Sequence, residues 1–120
     1  MQHLNIELTD ISEGSASAKI KIQQHHRNLH GGMHGGCVFS LADTVAGYTA
    51  MSLGTVVTTL NASFNYLRPA INTEYVYCKG EVVKSGKTVI VVRTLLSDDS
   101  GRLIADGSFS CFVLRDRENS

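Results

Sequence analysis

One stretch, Gly36 to Gly54, decides what this chain can fold into. It is almost wholly apolar or small, and Asp43 is its only charged residue. Most of what surrounds it alternates with a period of two. Leu4, Ile6 and Leu8 are interleaved with Asn5, Glu7 and Thr9. After a Ser12-Glu13-Gly14-Ser15 turn, Ala16, Ala18, Ile20 and Ile22 are interleaved with Ser17, Lys19, Lys21 and Gln23. That period marks half-buried strands, and the two segments read as a hairpin. Beyond Gly54 the chain reads as four more strands. They run from about Val56 to Leu67, Glu74 to Val83, Thr88 to Leu96 and Leu103 to Leu114. The first stops at Arg68-Pro69, and turns at Lys84-Ser85-Gly86-Lys87 and Ser97-Asp98-Asp99-Ser100-Gly101 separate the others. The segment from Thr88 is apolar on both alternations, as a central strand covered on both faces would be.

Several of these strands exceed the usual length of about 5–6 residues. One apolar helix and a set of long antiparallel strands have an economical packing, in which the sheet curves around the helix. The expectation is a single α+β domain over residues 1–120, with Asp116 to Ser120 a frayed polar tail. One face of the sheet would stay partly apolar, which predicts an oligomer.

A transmembrane reading of the Gly36–Gly54 segment competes with the helix-in-a-sheet reading. Ser40, Asp43, Thr44, Thr49 and Ser52 make it too polar for that, so no membrane partner is expected. Lys plus Arg and Asp plus Glu stand at 11 each, which lacks the basic excess that nucleic acid would select. Cys37, Cys78 and Cys111 are widely spaced in apolar surroundings and read as reduced small hydrophobes. With no secretory signal pattern at the N-terminus, a cytoplasmic location is expected.

The chemistry concentrates where a Gly- and His-rich loop runs into the helix. Gly35 and Gly36 are read as preceding the helix, where backbone N–H groups lack partners and the dipole is positive. An N–H there can stabilise an oxyanion, though a glycine pair also makes a plain turn. Asp43 falls about two turns further on, on roughly the same side. A carboxylate in so apolar a run is a candidate base or nucleophile. Alternatively, it is satisfied by a neighbouring hydroxyl or by a cation across an interface. Burial would raise its pKa, so an ionised form needs hydrogen-bond donors. Asn28 and His34 carry donors suited to a carbonyl or a water; an Asx-turn or a loop-fixing imidazole is the plainer account.

His26, His30 and His34 are spaced four apart, which would suit a metal on a helix. The surrounding glycines argue against a helix, and no acid or thiol nearby completes a ligand set. Arg68, Lys87 and Arg102 flank strand ends and are candidate anion contacts, against the plainer reading of solvated turn charges. Tyr48, Tyr66, Tyr75 and Tyr77 suit either a pocket or the core.

The run His34-Gly35-Gly36-Cys37-Val38-Phe39-Ser40-Leu41-Ala42-Asp43-Thr44, with Asn28 six residues before the His, resembles the signature of hotdog-fold acyl-CoA thioesterases. The branch it resembles most is the phenylacetate-degradation, PaaI-type group. Phe64-Asn65-Tyr66-Leu67-Arg68-Pro69-Ala70 is similar to that family's strand ending in an R-P-A or S-P-A corner. Ser85-Gly86-Lys87-Thr88 and Gly101-Arg102-Leu103-Ile104-Ala105 match its two hairpins, so the resemblance spans essentially the whole chain.

The resemblance implies hydrolysis of an acyl-CoA with an aryl or medium-chain acyl group, without metal or organic cofactor. It implies Asp43 as general base or nucleophile, and Thr59 orienting Asp43 or the water. It implies that the Gly35 amide, near Asn28 and His34, polarises the thioester carbonyl. Gly36, Arg68, Lys87 and Arg102 would contact substrate. It further implies a homodimer or homotetramer whose sites lie between subunits, with Asp43 opposite the loop. A hydratase or dehydratase of acyl thioesters, or a non-catalytic acyl-CoA-binding module, would fit the same fold.

Overall fold

The small and apolar residues of the central segment form a single helix, α1 (Gly35–Met51). Six strands accompany it in the computed structural model, which describes residues 5–23 and 35–116. They are β1 (Ile6–Ser12), β2 (Ser15–Lys21), β3 (Thr55–Tyr66), β4 (Tyr75–Ser85), β5 (Val89–Ser97) and β6 (Leu103–Asp116). All pair antiparallel, in the order β1-β2-β4-β5-β6-β3. The sheet lays one face on α1, the hotdog arrangement expected from sequence. Among the described residues no helix is long and apolar enough to cross a membrane. All three cysteines are buried.

The helix is buried along a stripe, not all round. Cys37, Val38, Leu41, Ala42, Val45, Ala46, Thr49 and Ala50 are buried, in adjacent pairs that recur every four residues. Between them Phe39, Ser40, Asp43, Thr44, Gly47 and Tyr48 stay partly open. The helix sits very close to the sheet at Gly80, where a Cβ would strike the Thr49 side chain and come within 3.0 Å of Val45 Cγ1. Leu41, Ile20, Leu96 and Phe109 are fully buried in the resulting core. Burying each such side chain contributes about 1.5–3 kcal/mol.

Three expectations need correction. β1 is an exposed edge strand rather than a half-buried one, since only Ile6 is partly covered. It lies beyond the helix's main contacts, and its register is irregular between Leu8 and Asp10, a common feature of edges. β5 is central but covered on one face only within the protomer. Ile90, Val92, Thr94 and Leu96 are buried, while Arg93 and Leu95 are exposed. Asp116 is not tail: it pairs with Thr55 as the last residue of β6.

A β-bulge in β3 decides which of its side chains face the helix. Thr59 faces Cys111 and Asn61 faces Ser110, leaving Leu60 as the extra residue. A bulge inserts one residue and so changes which parity faces inward. Before it, Val57 and Thr59 point to the helix side; after it, Ala62, Phe64 and Tyr66 do. Without that insertion Thr59 and Tyr66 would lie on opposite faces of the sheet.

Candidate active site

Asp43 stands on the open side of α1. It is half-buried, so the apolar run around it overstated its desolvation; small neighbours leave the groove open to solvent. The Thr59 hydroxyl donates to its Oδ1 at 2.9 Å. Thr59 reaches it because the bulge at Leu60 keeps that part of β3 aimed at the helix. Beneath the pair lies Cys111, buried and opposite Thr59 in the β3–β6 ladder. Burial pushes the Cys111 thiol up in pKa, the Asp43 charge adds to this, and the Thr59 hydroxyl opposes it. A thiol held protonated is no nucleophile. Asp43 lines a groove of about 430 Å³ walled by Tyr48, Met51 and Val57.

Gly35 lies in a different place. It is the first residue of α1 rather than part of a loop before it, and Gly36 follows it in the same first turn. N–H groups in a helix's first turn have no acceptor within the helix. The Tyr66 hydroxyl donates to the Gly35 carbonyl at 2.9 Å. A Cβ on Gly35 would come within 3.3 Å of the Tyr66 ring, so glycine permits this close approach. Tyr66 packs edge-on against Phe64 at 5.0 Å, and Phe64 in turn against Phe39 at 5.3 Å. Gly35, Tyr66, Arg68, Pro69 and Ile104 line a cleft of about 350 Å³. Its wall is fixed by the Ile104 carbonyl, which accepts from the Leu67 and Arg68 N–H groups.

Eight residues of helix separate Gly35 from Asp43, about 12 Å of rise and about 80° of rotation. The two line separate clefts of the described structure. Arg68 joins the Gly35 cleft. Lys87 and Arg102 line neither cleft.

Arg102 is engaged elsewhere: its Nε donates to Asp98 Oδ2 at 3.2 Å. The Ser100 hydroxyl, with N–H bonds from Arg102 and Ser100, holds the Asp98 carboxyl below its ordinary pKa. Asp99 is lowered too, chiefly by the Glu74 N–H, with Thr73 and Tyr77 assisting. Tyr48 and Tyr66 line the two clefts, whereas Tyr75 and Tyr77 stack on each other with ring centroids 6.0 Å apart. Asn28, His34, His26 and His30 lie outside the described residues. Tyr66 as the partner of Gly35 is the contact that sequence reasoning missed; only the parity switch at Leu60 could have placed it.

Comparison with known proteins bears on the family and the fold. The sequence model of the thioesterase superfamily matches residues 30–105. Acyl-coenzyme A thioesterase PaaI of Escherichia coli is 30% identical over 84 residues, covering 70% of this chain and 60% of that protein. A Streptococcus mutans UA159 protein solved with acetyl CoA superposes with a TM-score of 0.90 at 26% identity, over 94% of this chain and 91% of that one. A hypothetical thioesterase of Streptococcus pneumoniae TIGR4 solved with coenzyme A gives 0.89 at 31% identity, over 94% and 88%. That protein has also been solved with alanine in place of an aspartate and, separately, of a threonine sixteen positions further on. With one helix and six antiparallel strands among the described residues and a matching family model, the chain belongs to the thioesterase superfamily and has its hotdog fold.

Proposed function

We propose that this protein hydrolyses acyl-CoA thioesters, with aryl or medium-chain acyl groups, to a free acid and coenzyme A. The observation that carries the reading is the Asp43–Thr59 hydrogen bond in the groove on the open face of α1. The Streptococcus pneumoniae relative supports it. Its replaced aspartate and threonine are sixteen positions apart, as Asp43 and Thr59 are. Relatives solved with acetyl CoA and coenzyme A support the substrate class.

Asp43 either takes a proton from the water that adds to the carbonyl or adds to it directly, giving a mixed anhydride that water opens. In both routes the C–S bond breaks and coenzyme A leaves as the thiolate. Thr59 spends its one proton on Asp43 and so fixes the carboxylate's orientation. A first-turn amide, Gly35, stabilises the oxyanion, a donor of a kind worth about 10²–10³ in rate. Asn28 and His34 assist in polarising the carbonyl, Gly36 contacts substrate, and Arg68 takes a phosphate of coenzyme A.

The reacting carbon must lie near both the acid and the oxyanion donor, within about 3 Å of each. One protomer holds them about 12 Å apart. The site is accordingly built from two chains, the Gly35 cleft of one facing the Asp43 groove of the other, in a homodimer or a homotetramer.

Thiol release from acetyl- through decanoyl-, phenylacetyl-, benzoyl- and hydroxybenzoyl-CoA tests the activity, using wild type and Asp43→Asn side by side. Turnover that collapses in the variant with the fold intact supports it. No turnover on any member, or equal turnover in both proteins, removes it.

A further inference from the structure

Gly47 lies mid-way along α1, four residues from both Asp43 and Met51. Glycine is a poorer helix former than any residue but proline, so its presence inside a helix asks for a reason. Conformation supplies none, because Gly47 is not among the glycines of positive φ, which are Gly14, Gly54 and Gly101. Packing within the protomer supplies none either. A Cβ at Gly47 would meet nothing within 4 Å, unlike one at Gly35 or Gly80. What its missing side chain leaves is space, in the floor of the groove that holds Asp43 and Thr59.

The rest of that groove has a consistent character. Tyr48, Met51 and Val57 are its apolar walls, and Asp43 is the only charged residue lining it among the described residues. Methionine adapts its shape to variable apolar partners. From Asp43 to Met51 the helix rises about 12 Å, the span of a medium-length acyl chain.

We propose that Gly47 is a specificity-determining position, whose absent side chain opens a trough along α1 from Asp43 to Met51 for the acyl chain of the substrate. The proposal rests on the hydrolase reading above. The carbonyl sits at Asp43 and the chain runs toward the C-terminal end of the helix, against Tyr48, Val57 and Met51. Uncharged acyl groups of medium length are favoured. An acyl group ending in a carboxylate is disfavoured, because Asp43 repels it and no cation among the protomer's described residues lines the trough.

The test is kcat/KM for acetyl-, hexanoyl- and decanoyl-CoA in wild type, Gly47→Ala and Gly47→Val. Thermal melting and the mass in solution are measured for each protein. Alanine meets no neighbour and suits a helix better, so Gly47→Ala melts at least as high as wild type. In Gly47→Val the ratio of decanoyl- to acetyl-CoA kcat/KM drops about tenfold or more, with alanine between the two, as expected when a pocket loses room.

An unchanged ratio overturns the proposal, as does an equal loss at every chain length. A change of oligomeric mass overturns it too, since Gly47 would then be packing against a second copy. If wild type turns over none of the three and none of the aryl esters either, the hydrolase reading fails separately. Calorimetric binding of acetyl- and decanoyl-CoA to the same variants then decides the trough. Selective loss of decanoyl-CoA binding in Gly47→Val keeps it, and no such loss removes it.

Discussion

The Gly35 cleft and the Asp43 groove lie on one helix and are made differently. The cleft gathers a first-turn glycine, an aromatic ring and a cation around an apolar wall. The groove gathers a carboxylate, hydroxyls and an apolar trough. The first suits an anionic ligand and a developing oxyanion; the second suits proton transfer or attack. In the proposed mechanism neither alone hydrolyses a thioester, and about 12 Å of helix keeps them apart within one chain. The difference is what leads us to propose that each protomer presents two half-sites, the missing half of each being supplied by a second copy.

The largest effect should come from the groove. Asp43→Asn removes the base or nucleophile and should lower kcat by about 10²–10⁴, with the melting temperature nearly unchanged because the side chain is half-open. Steady-state kinetics with circular dichroism checks both. A residual rate near that of wild type would mean that the groove is not the chemical half.

Thr59→Val should come next. Losing a hydrogen bond to a charged group costs about 1.5–3 kcal/mol, so kcat falls by roughly tenfold to a hundredfold. The loss should fall mainly on kcat, since the threonine orients Asp43 rather than gripping substrate. A change confined to KM would place Thr59 in binding instead.

Arg68→Ala probes the cleft and should behave in the opposite way. KM for the coenzyme A ester should rise several-fold at low salt, with the difference shrinking as salt screens the phosphate contact. Loss of kcat with KM unmoved would break the assignment of binding to the cleft and chemistry to the groove.

The smallest effect concerns the turn beyond the cleft's Ile104 wall. Asp98 and Asp99 have lowered folded pKa values. A lowered carboxylate stabilises the fold at pH above its unfolded value near 3.8, and that contribution disappears as pH falls through the lowered folded value. Melting temperature should therefore decline below about pH 4. Asp98→Asn should flatten the decline, at some cost in stability at neutral pH. A variant with an identical acid limb would contradict this.

Much of the fold was legible because its signals are local. Alternation located the strands to within a few residues, and Gly14 with φ +88° sits in the hairpin turn where the sequence placed it. Asp43 stood out as a lone charge, and its partner Thr59 followed from the family resemblance. Geometry across elements was less visible. The four-residue burial stripe of α1 is hidden because Ala, Gly and Thr occupy both its faces, so an open groove read as a buried helix. The bulge at Leu60 leaves no composition signal, yet it aims Thr59 and Tyr66 at the same helix. That Arg102 serves Asp98 depends on how one turn closes, which residue type alone does not reveal.

Mixed oligomers test the two-half-site account most directly. Asp43→Asn and Gly35→Val chains, each inactive as a homo-oligomer, are co-expressed with different tags and purified through both. Each mixed pair then contains one site with an intact cleft and an intact groove, and one with neither. The account predicts that activity returns to about half that of wild type per pair. Mixed oligomers no more active than either parent would show that each site lies within a single chain, and would contradict it.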